Sequence, residues 1–407
     1  MYYEIKKVLS RRGRWIALLF PVAVLILVLY FMLSDTWYTN SSGNREKGFA
    51  AIADQKAAVR EWSGLLTEER LAQVIEENHR INSSKEHQSE DVQQQNIAYS
   101  WKQGIKDILY TMGFAYGSFQ DWNYAAADSL TKEQASEFYP NRVIRLKEWL
   151  AGEGADGFHE KEKQYLIRQY EALETPYYYE YQDGWKNLLQ WSPTIIMITT
   201  LVLAYLCAGI FADEFRLKAG SVFYSSCHGR GKAVRAKVKA GFLIATAMYW
   251  MEMLLYSAVV LGIYGTQGIN CPIQSTMSGW KSFYNITNGQ EYLLILFGGY
   301  LGCIFMTALV MLVSAAAKSS LLAVMVPFVL IFLPSFLGEI RHPLMQKILG
   351  LLPDQLLQMN AVVKYFNLYG IGGKITGAAP VLLVLYSVLL VIVAPVIYVT
   401  YRRKQVY

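Results

Sequence analysis

The stretch Phe211-Ala212-Asp213-Glu214-Phe215-Arg216 places charge between two long apolar runs, and the polar sequence continues through Gly220 and Gly229-Arg230 to Lys237. On either side, 194–212 and 240–264 are long enough to cross a hydrocarbon core of about 30 Å at about 1.5 Å per residue. The interruption between them, 213–239, has room for a short helix. Four more runs of the same character lie outward from it, at 15–33, 292–316, 321–337 and 381–401. With 53% hydrophobic and 17% charged residues among 407, the composition departs from that of a soluble domain. The chain reads as an all-α polytopic membrane protein with six transmembrane helices, three of them within 240–337.

Lys and Arg in short loops set the orientation, because translocation disfavours them. With the N-terminus inside, the inner segments 1–14, 213–239, 317–320 and 402–407 hold 16 Lys/Arg, and the short outer segments 265–291 and 338–380 hold 5. Both termini are therefore expected to be cytoplasmic. The segment 34–193 then lies outside; it has 17 Lys/Arg against 25 Asp/Glu, a net −8 within a chain of net +6. The basic excess faces an anionic inner leaflet, where each residue contributes about 1 kcal/mol, so it does not signal nucleic-acid binding. The first apolar run is longer than the about 7–15 residues of a signal-peptide core, and no small-x-small site precedes Trp37, so it is expected to remain as a span. Tyr2, Ile5, Val8 and Leu9 share one face of 1–14, which suits an amphipathic helix lying on the inner leaflet.

The outer segment 34–193 carries helix signals and is expected to be a largely helical extracellular domain. Thr67 is placed as an N-cap with Glu68 and Glu69 in the first turn, and Thr131 with Gln134 forms a capping box. Val143, Leu146 and Leu150 make one apolar stripe, and Tyr165, Leu166 and Tyr170 begin another. The polar stretch 82–95 reads as a loop. An aromatic run, Tyr177-Tyr178-Tyr179, Tyr181, Trp185 and Trp191, fits interfacial and domain packing or a platform for a passing substrate. In 338–380, the pieces 340–352 and 356–368 are apolar but too short to span, and Pro343, Pro353, Gly370, Gly372 and Gly373 break them. Half-buried outer helices at membrane depth and a plain amphipathic loop both fit that pattern.

Glu252 is the one charge within the six runs. An intramembrane carboxylate is costly unless paired, protonated or hydrated; lining a polar pathway, taking part in cation coupling, and bonding Ser, Tyr or Lys groups of a neighbouring span all fit it. The four cysteines are scattered: Cys207 and Cys303 fall in spans, Cys227 in the inner loop and Cys271 alone outside, so neither a disulfide framework nor a metal site is expected. No catalytic constellation emerges. Gly373-Lys374 is followed by Ile375 and lacks the first Gly of a P-loop, and Gly229-Arg230-Gly231-Lys232-Ala233 fails in the same way. Any energy source has to come from a partner chain.

Six spans with both ends inside, a basic amphipathic start and the loop Phe211…Glu214…Gly220…Arg230…Lys237 resemble the permease subunit of a type-2 ATP-binding-cassette exporter. That family places a coupling helix between its second and third spans and short external helices between its last two. Ser225-Ser226-Cys227-His228 stands where the family often has Pro before the Arg. The large insert 34–193 matches only some of its branches. The resemblance implies a dimer with a second permease subunit, identical or paralogous, in the cell membrane of a bacterium. Cytoplasmic ATPase subunits would carry ATP and Mg, leaving this chain no catalytic role and no cofactor of its own. It makes Phe211, Glu214, Arg216, Gly220, Arg230 and Lys237 the candidate coupling-loop residues, with Glu214 and Arg216 holding the loop against its own bundle or the ATPase. The competing reading is a membrane-anchored sensor or interaction protein whose working part is 34–193.

Overall fold

The computed structural model describes residues 1–10, 12–217, 229–337 and 342–403. The chain is mostly helical, at 72%, and among the described residues five helices are long and apolar enough to cross a membrane. They are α2 (Arg12–Asp35), α9 (Asp183–Cys207) running on as α10 (Gly209–Arg216), α11 (Val234–Tyr264), α12 (Asn288–Ala317) and α17 (Ala378–Arg402). A further apolar helix, α13 (Ser320–Leu337), holds Pro327 and Pro334 and is shorter as an uninterrupted apolar stretch. The central member is α12, which packs against α9, α11, α13 and α17; α2 lies against α9. The apolar windows of α9 and α12 are 78% and 67% buried, those of α2 and α17 only 22% and 17%. The first pair therefore forms the interior of the bundle and the second pair its rim. In front of α2, Tyr2–Leu9 forms α1 with Val8 buried.

Two boundaries differ from expectation. The second apolar helix begins at Asp183 rather than near 194, so its first three turns, counted in sequence to the outer segment, belong to the bundle. Asp183, Lys186 and Asn187 mask those turns in a hydropathy reading. Tertiary contacts satisfy them: Lys186 pairs with Asp107 and, at 3.1 Å, with Asp183, and Trp185 Nε1 donates to the Thr266 carbonyl at 3.0 Å. The third span likewise begins early, because Gly229–Ala233 winds as one π-helical turn that feeds α11 at Val234.

Between α2 and α9 lies the helical domain: α3 (Phe49–Arg60), α4 (Glu68–Asn82), α5 (Val92–Lys102), α6 (Lys106–Ala115), α7 (Phe138–Ala151) and α8 (Glu160–Glu171). Two small antiparallel ribbons join them, β1 (Trp37–Thr39) with β2 (Arg45–Lys47), and β3 (Gly64–Leu65) with β4 (Tyr178–Tyr179). Thr67 caps α4 by accepting from the Arg70 amide. The Thr131–Gln134 box opens a 3₁₀ stretch, Lys132–Glu137, ahead of α7. The expected loop 82–95 is shorter, since Asp91 accepts from the Gln93 amide and starts α5 at Val92. Tyr177, Tyr179, Tyr181 and Trp185 are buried, so the aromatic run packs the domain onto the bundle.

Arg142 ties the domain to the loop joining α11 to α12. Buried on α7, it donates from Nε and Nη2 to the Trp280 carbonyl at 3.2 and 2.8 Å and from Nη2 to the Ser282 carbonyl at 2.7 Å. Its guanidinium lies 4.1 Å from the Tyr170 ring centre.

In the segment before α17, where half-buried outer helices and a plain amphipathic loop both fit the sequence, three short helices form: α14 (Pro343–Leu349), α15 (Asp354–Leu357) and α16 (Met359–Val362). They are followed by a hairpin, β5 (Leu368–Ile371) with β6 (Lys374–Gly377). Gly372 and Gly373 take φ of +57° and +80° in its two-residue turn, a conformation glycine adopts without a Cβ clash. Leu356, Leu357, Met359, Val362 and Val363 are buried, and α15 and α16 lie in a groove of α12 made by Gly298 and Gly302. A Cβ at Gly302 would come within 2.8–2.9 Å of Leu357 and Leu356, and one at Gly298 within 2.7 Å of Met359. The short helices are thus packed into the bundle, which accounts for irregular backbone beside apolar helices.

Candidate functional site

The described residues on either side of the charged interruption gather at the end of the bundle opposite the helical domain. Glu214, 5% exposed at the end of α10, is the hub. Its Oε1 lies 2.7 Å from Lys237 Nζ and 3.1 Å from Lys7 Nζ, and its Oε2 accepts from the Tyr401 hydroxyl at 2.6 Å. One carboxylate therefore ties α10 to α1, α11 and α17. Lys237 also reaches Glu4 Oε2 at 3.0 Å and donates to the Ile210 carbonyl at 2.9 Å.

A second ion pair lies alongside. Arg14 at the start of α2 meets Asp213 Oδ2 at 3.0 Å, both side chains being buried, and its other terminal nitrogen donates to the Lys7 and Val8 carbonyls at 2.9 Å each. That bond pattern fixes α1 across the foot of α2. Arg216 pairs with Asp213 Oδ1 at 3.1 Å, one turn back on the same helix, and is otherwise exposed. Phe211, fully buried, packs its ring 4.6 Å from Tyr401 and 5.9 Å from Lys237 Nζ. The Ser314 hydroxyl bridges the break between α9 and α10, donating to the Ala208 carbonyl and accepting from the Ala212 amide.

Charge is stable here because each partner is held by several others. Isolated buried charges are expensive, whereas charges that are both paired and hydrogen-bonded offset much of their desolvation. Among the described residues the arrangement is a set of ion pairs and hydrogen bonds between helices. It links α1, α2, α10, α11 and α17 directly to one another.

Of the residues named from sequence, Phe211, Glu214 and Lys237 come together in this cluster, and Arg216 joins through Asp213. Lys237 is a buried member of α11 and not a loop residue. The backbone of Arg230 lies in the π-helical turn. Gly220, and the short coupling helix expected around it, lie outside the described residues. Sequence reasoning missed Glu4, Lys7, Arg14, Asp213 and Tyr401. The available signal was the pair Asp213-Glu214, two acids at the end where basic residues dominate, which required buried cations from elsewhere in the chain.

Glu252 sits apart, 6% exposed within α11. Its Oε2 lies 2.9 Å from Thr199 Oγ1 on α9, a hydroxyl shared with the Ile195 carbonyl at 2.8 Å. Threonine thus replaces the Ser, Tyr or Lys partner expected from sequence, and Oε1 has no hydrogen-bond partner among the described residues. Among those residues no group of three His, Cys, Asp or Glu side chains is placed to hold a metal, and Cys207, Cys271 and Cys303 are buried free thiols. Compared with protein-family models, curated proteins and solved structures, the chain gives no match.

Proposed function

We propose that this chain is the membrane-spanning permease subunit of an ATP-binding-cassette exporter, driven by ATPase subunits on separate chains. In this reading α13 is the fifth of six spans, both termini are cytoplasmic, the 36–182 domain is extracellular and the protein resides in the cell membrane. A second permease subunit completes the pathway, and ATP with Mg is bound by the partner ATPases.

One observation carries the reading: the cluster around Glu214. The helices that flank residues 218–228 are tied into the bundle, α10 through Glu214 and Asp213 and α11 through Lys237. A push on that segment by a cytoplasmic motor would be delivered to α1, α2, α11 and α17 at once, as alternating access requires. Glu214 holds the segment to its own bundle, leaving exposed Arg216 the better placed to meet a partner.

The test is co-purification from native membranes in mild detergent, comparing the wild-type chain with an Arg216→Ala/Arg230→Ala variant. Recovery of a separate ATPase by the wild type and its loss from the variant are expected. If a folded wild-type chain brings down no ATPase, the permease reading fails.

A further inference from the structure

At the other end of the molecule a cleft of about 1360 Å³ opens between the helical domain, the loop joining α11 to α12, and the segment from α14 to β5. Drug-sized sites occupy about 300–1,000 Å³, so this one has room for several amino-acid residues. Its floor is aromatic. Phe119 and Trp149 stack with centres 4.9 Å apart, Phe366 lies 5.9 and 6.0 Å from them, and Phe158 lies 5.8 Å from Trp149. All four rings are only partly buried, so their faces line the cavity instead of closing it.

The charges on the walls are not equivalent. Lys347 is held by buried Glu162 at 2.8 Å, and Lys364 faces Glu291 at 3.5 Å. Lys281 donates to the Gln120 carbonyl at 3.4 Å, and its ammonium rests 5.4 Å from the centre of Phe119, so this floor already accepts one cation. Two acidic groups remain: Glu153 and Asp156 line the cleft, are exposed, and have no ion pair among the described residues. Aromatic faces and free carboxylates both favour a positive group. The surrounding 34–193 segment, at net −8, adds a field of the same sign.

We infer that this cleft binds a cationic amphiphile, its apolar or aromatic body on Phe119, Trp149 and Phe366 and its ammonium or guanidinium group at Glu153 and Asp156. A basic, aromatic-containing peptide and a bulky organic cation share that chemistry. The site is remote from the Glu214 cluster, and the inference stands whether or not an ATPase partner is found.

The test uses the full chain in lipid nanodiscs, with empty nanodiscs subtracted for partitioning. Binding is followed by tryptophan fluorescence and calorimetry. Three probes are compared: the amidated tetrapeptide Arg-Trp-Arg-Trp, by calorimetry alone; tetraphenylphosphonium; and tetraphenylborate, an anion of nearly the same shape. Saturable binding of at least one cation and none of the anion is expected, and the tighter cation identifies the source. Glu153→Gln/Asp156→Asn, on exposed positions, should weaken binding about three- to tenfold; Trp149→Ala should weaken it at least about tenfold. Saturable binding of the anion, no binding of either cation, or unchanged affinity in the carboxamide variant would overturn the inference.

Discussion

Lys237→Met is the sharpest probe of the charge cluster. The ammonium is fully buried and serves Glu214 at 2.7 Å, Glu4 at 3.0 Å and the Ile210 carbonyl at 2.9 Å. Methionine preserves much of the side-chain volume but supplies no donor. Removing one partner of a buried pair costs about 3–5 kcal/mol, because the other charge is left behind. Two contacts soften the loss for Glu214: the Tyr401 hydroxyl at 2.6 Å and Lys7 at 3.1 Å. The Lys7 side chain is 39% exposed, and pairs with an exposed partner return about 0–1 kcal/mol. The expected net loss is therefore about 3 kcal/mol. Glu214→Gln in the same background removes the stranded carboxylate, so the double variant should recover about 1.5–3 kcal/mol relative to the sum of the single changes. The assay is a melting cycle on the four proteins in nanodiscs. For a chain this long about 1–2 °C per kcal/mol is expected by size scaling, giving about 3–6 °C for Lys237→Met. Additive single and double effects would show that the two side chains do not interact energetically, and the cluster could then not transmit force through Glu214.

Arg142→Met removes the three bonds to the Trp280 and Ser282 carbonyls; it should cost about 2–4 kcal/mol and raise hydrogen exchange in the loop joining α11 to α12. Gly302→Val places atoms against Leu356 and Leu357 and should release α15 and α16, read as new proteolytic cleavage between 350 and 365. Glu252→Gln keeps an acceptor for Thr199 while removing an incompletely bonded carboxylate, so the melting temperature should stay level or rise; a fall of several degrees would mean that the charge itself is required. Burial raises the carboxyl value of Glu162, but the Lys347 ammonium and the His159 amide outweigh it and hold the group below its ordinary 4.5. A depressed folded value means that this link stabilises above the ordinary carboxylate range and is lost as pH falls through it. Exchange in α8 and α14 should therefore rise as the pH falls below the ordinary carboxylate range in the wild type and change less in Glu162→Gln.

The long apolar helices and several caps were legible because they depend on neighbours in sequence: hydrophobic length for α2, α12 and α17, and Thr67 and Asp91-type side chains bonding the next turn. Asp91 sits inside a polar stretch whose composition reads as loop, which hides its capping role. The start of α9 was hidden because Asp183 and Lys186 are polar, and they belong in a helix only once Asp107 is placed beside them. The hairpin of β5 and β6 was readable as two glycines but not as strands, since its pairing needs both sides of the turn. The charge cluster was half legible. Glu214 and Lys237 stood out in the interruption, but Lys7 and Tyr401 are 207 and 187 residues from Glu214 in sequence. A basic residue near one terminus and a tyrosine near the other look like lipid-facing anchors until the bundle is closed.

The attachment of α9 at both ends has a mechanical consequence. Near its first turn, Lys186 is tied to Asp107 and Gln182 to Asn288, while Asn360 of the cleft wall donates to the Leu189 carbonyl. Its far end runs into α10 and the Glu214 cluster. At about 1.5 Å per residue its 25 residues make a rod of about 37 Å. A tilt of about 10° at one end would sweep the other by about 6 Å, more than the spacing of two neighbouring strands. A tilt of that size at the basic end would therefore be felt at Asn360 on the wall of the aromatic cleft, and an occupant of the cleft would resist it.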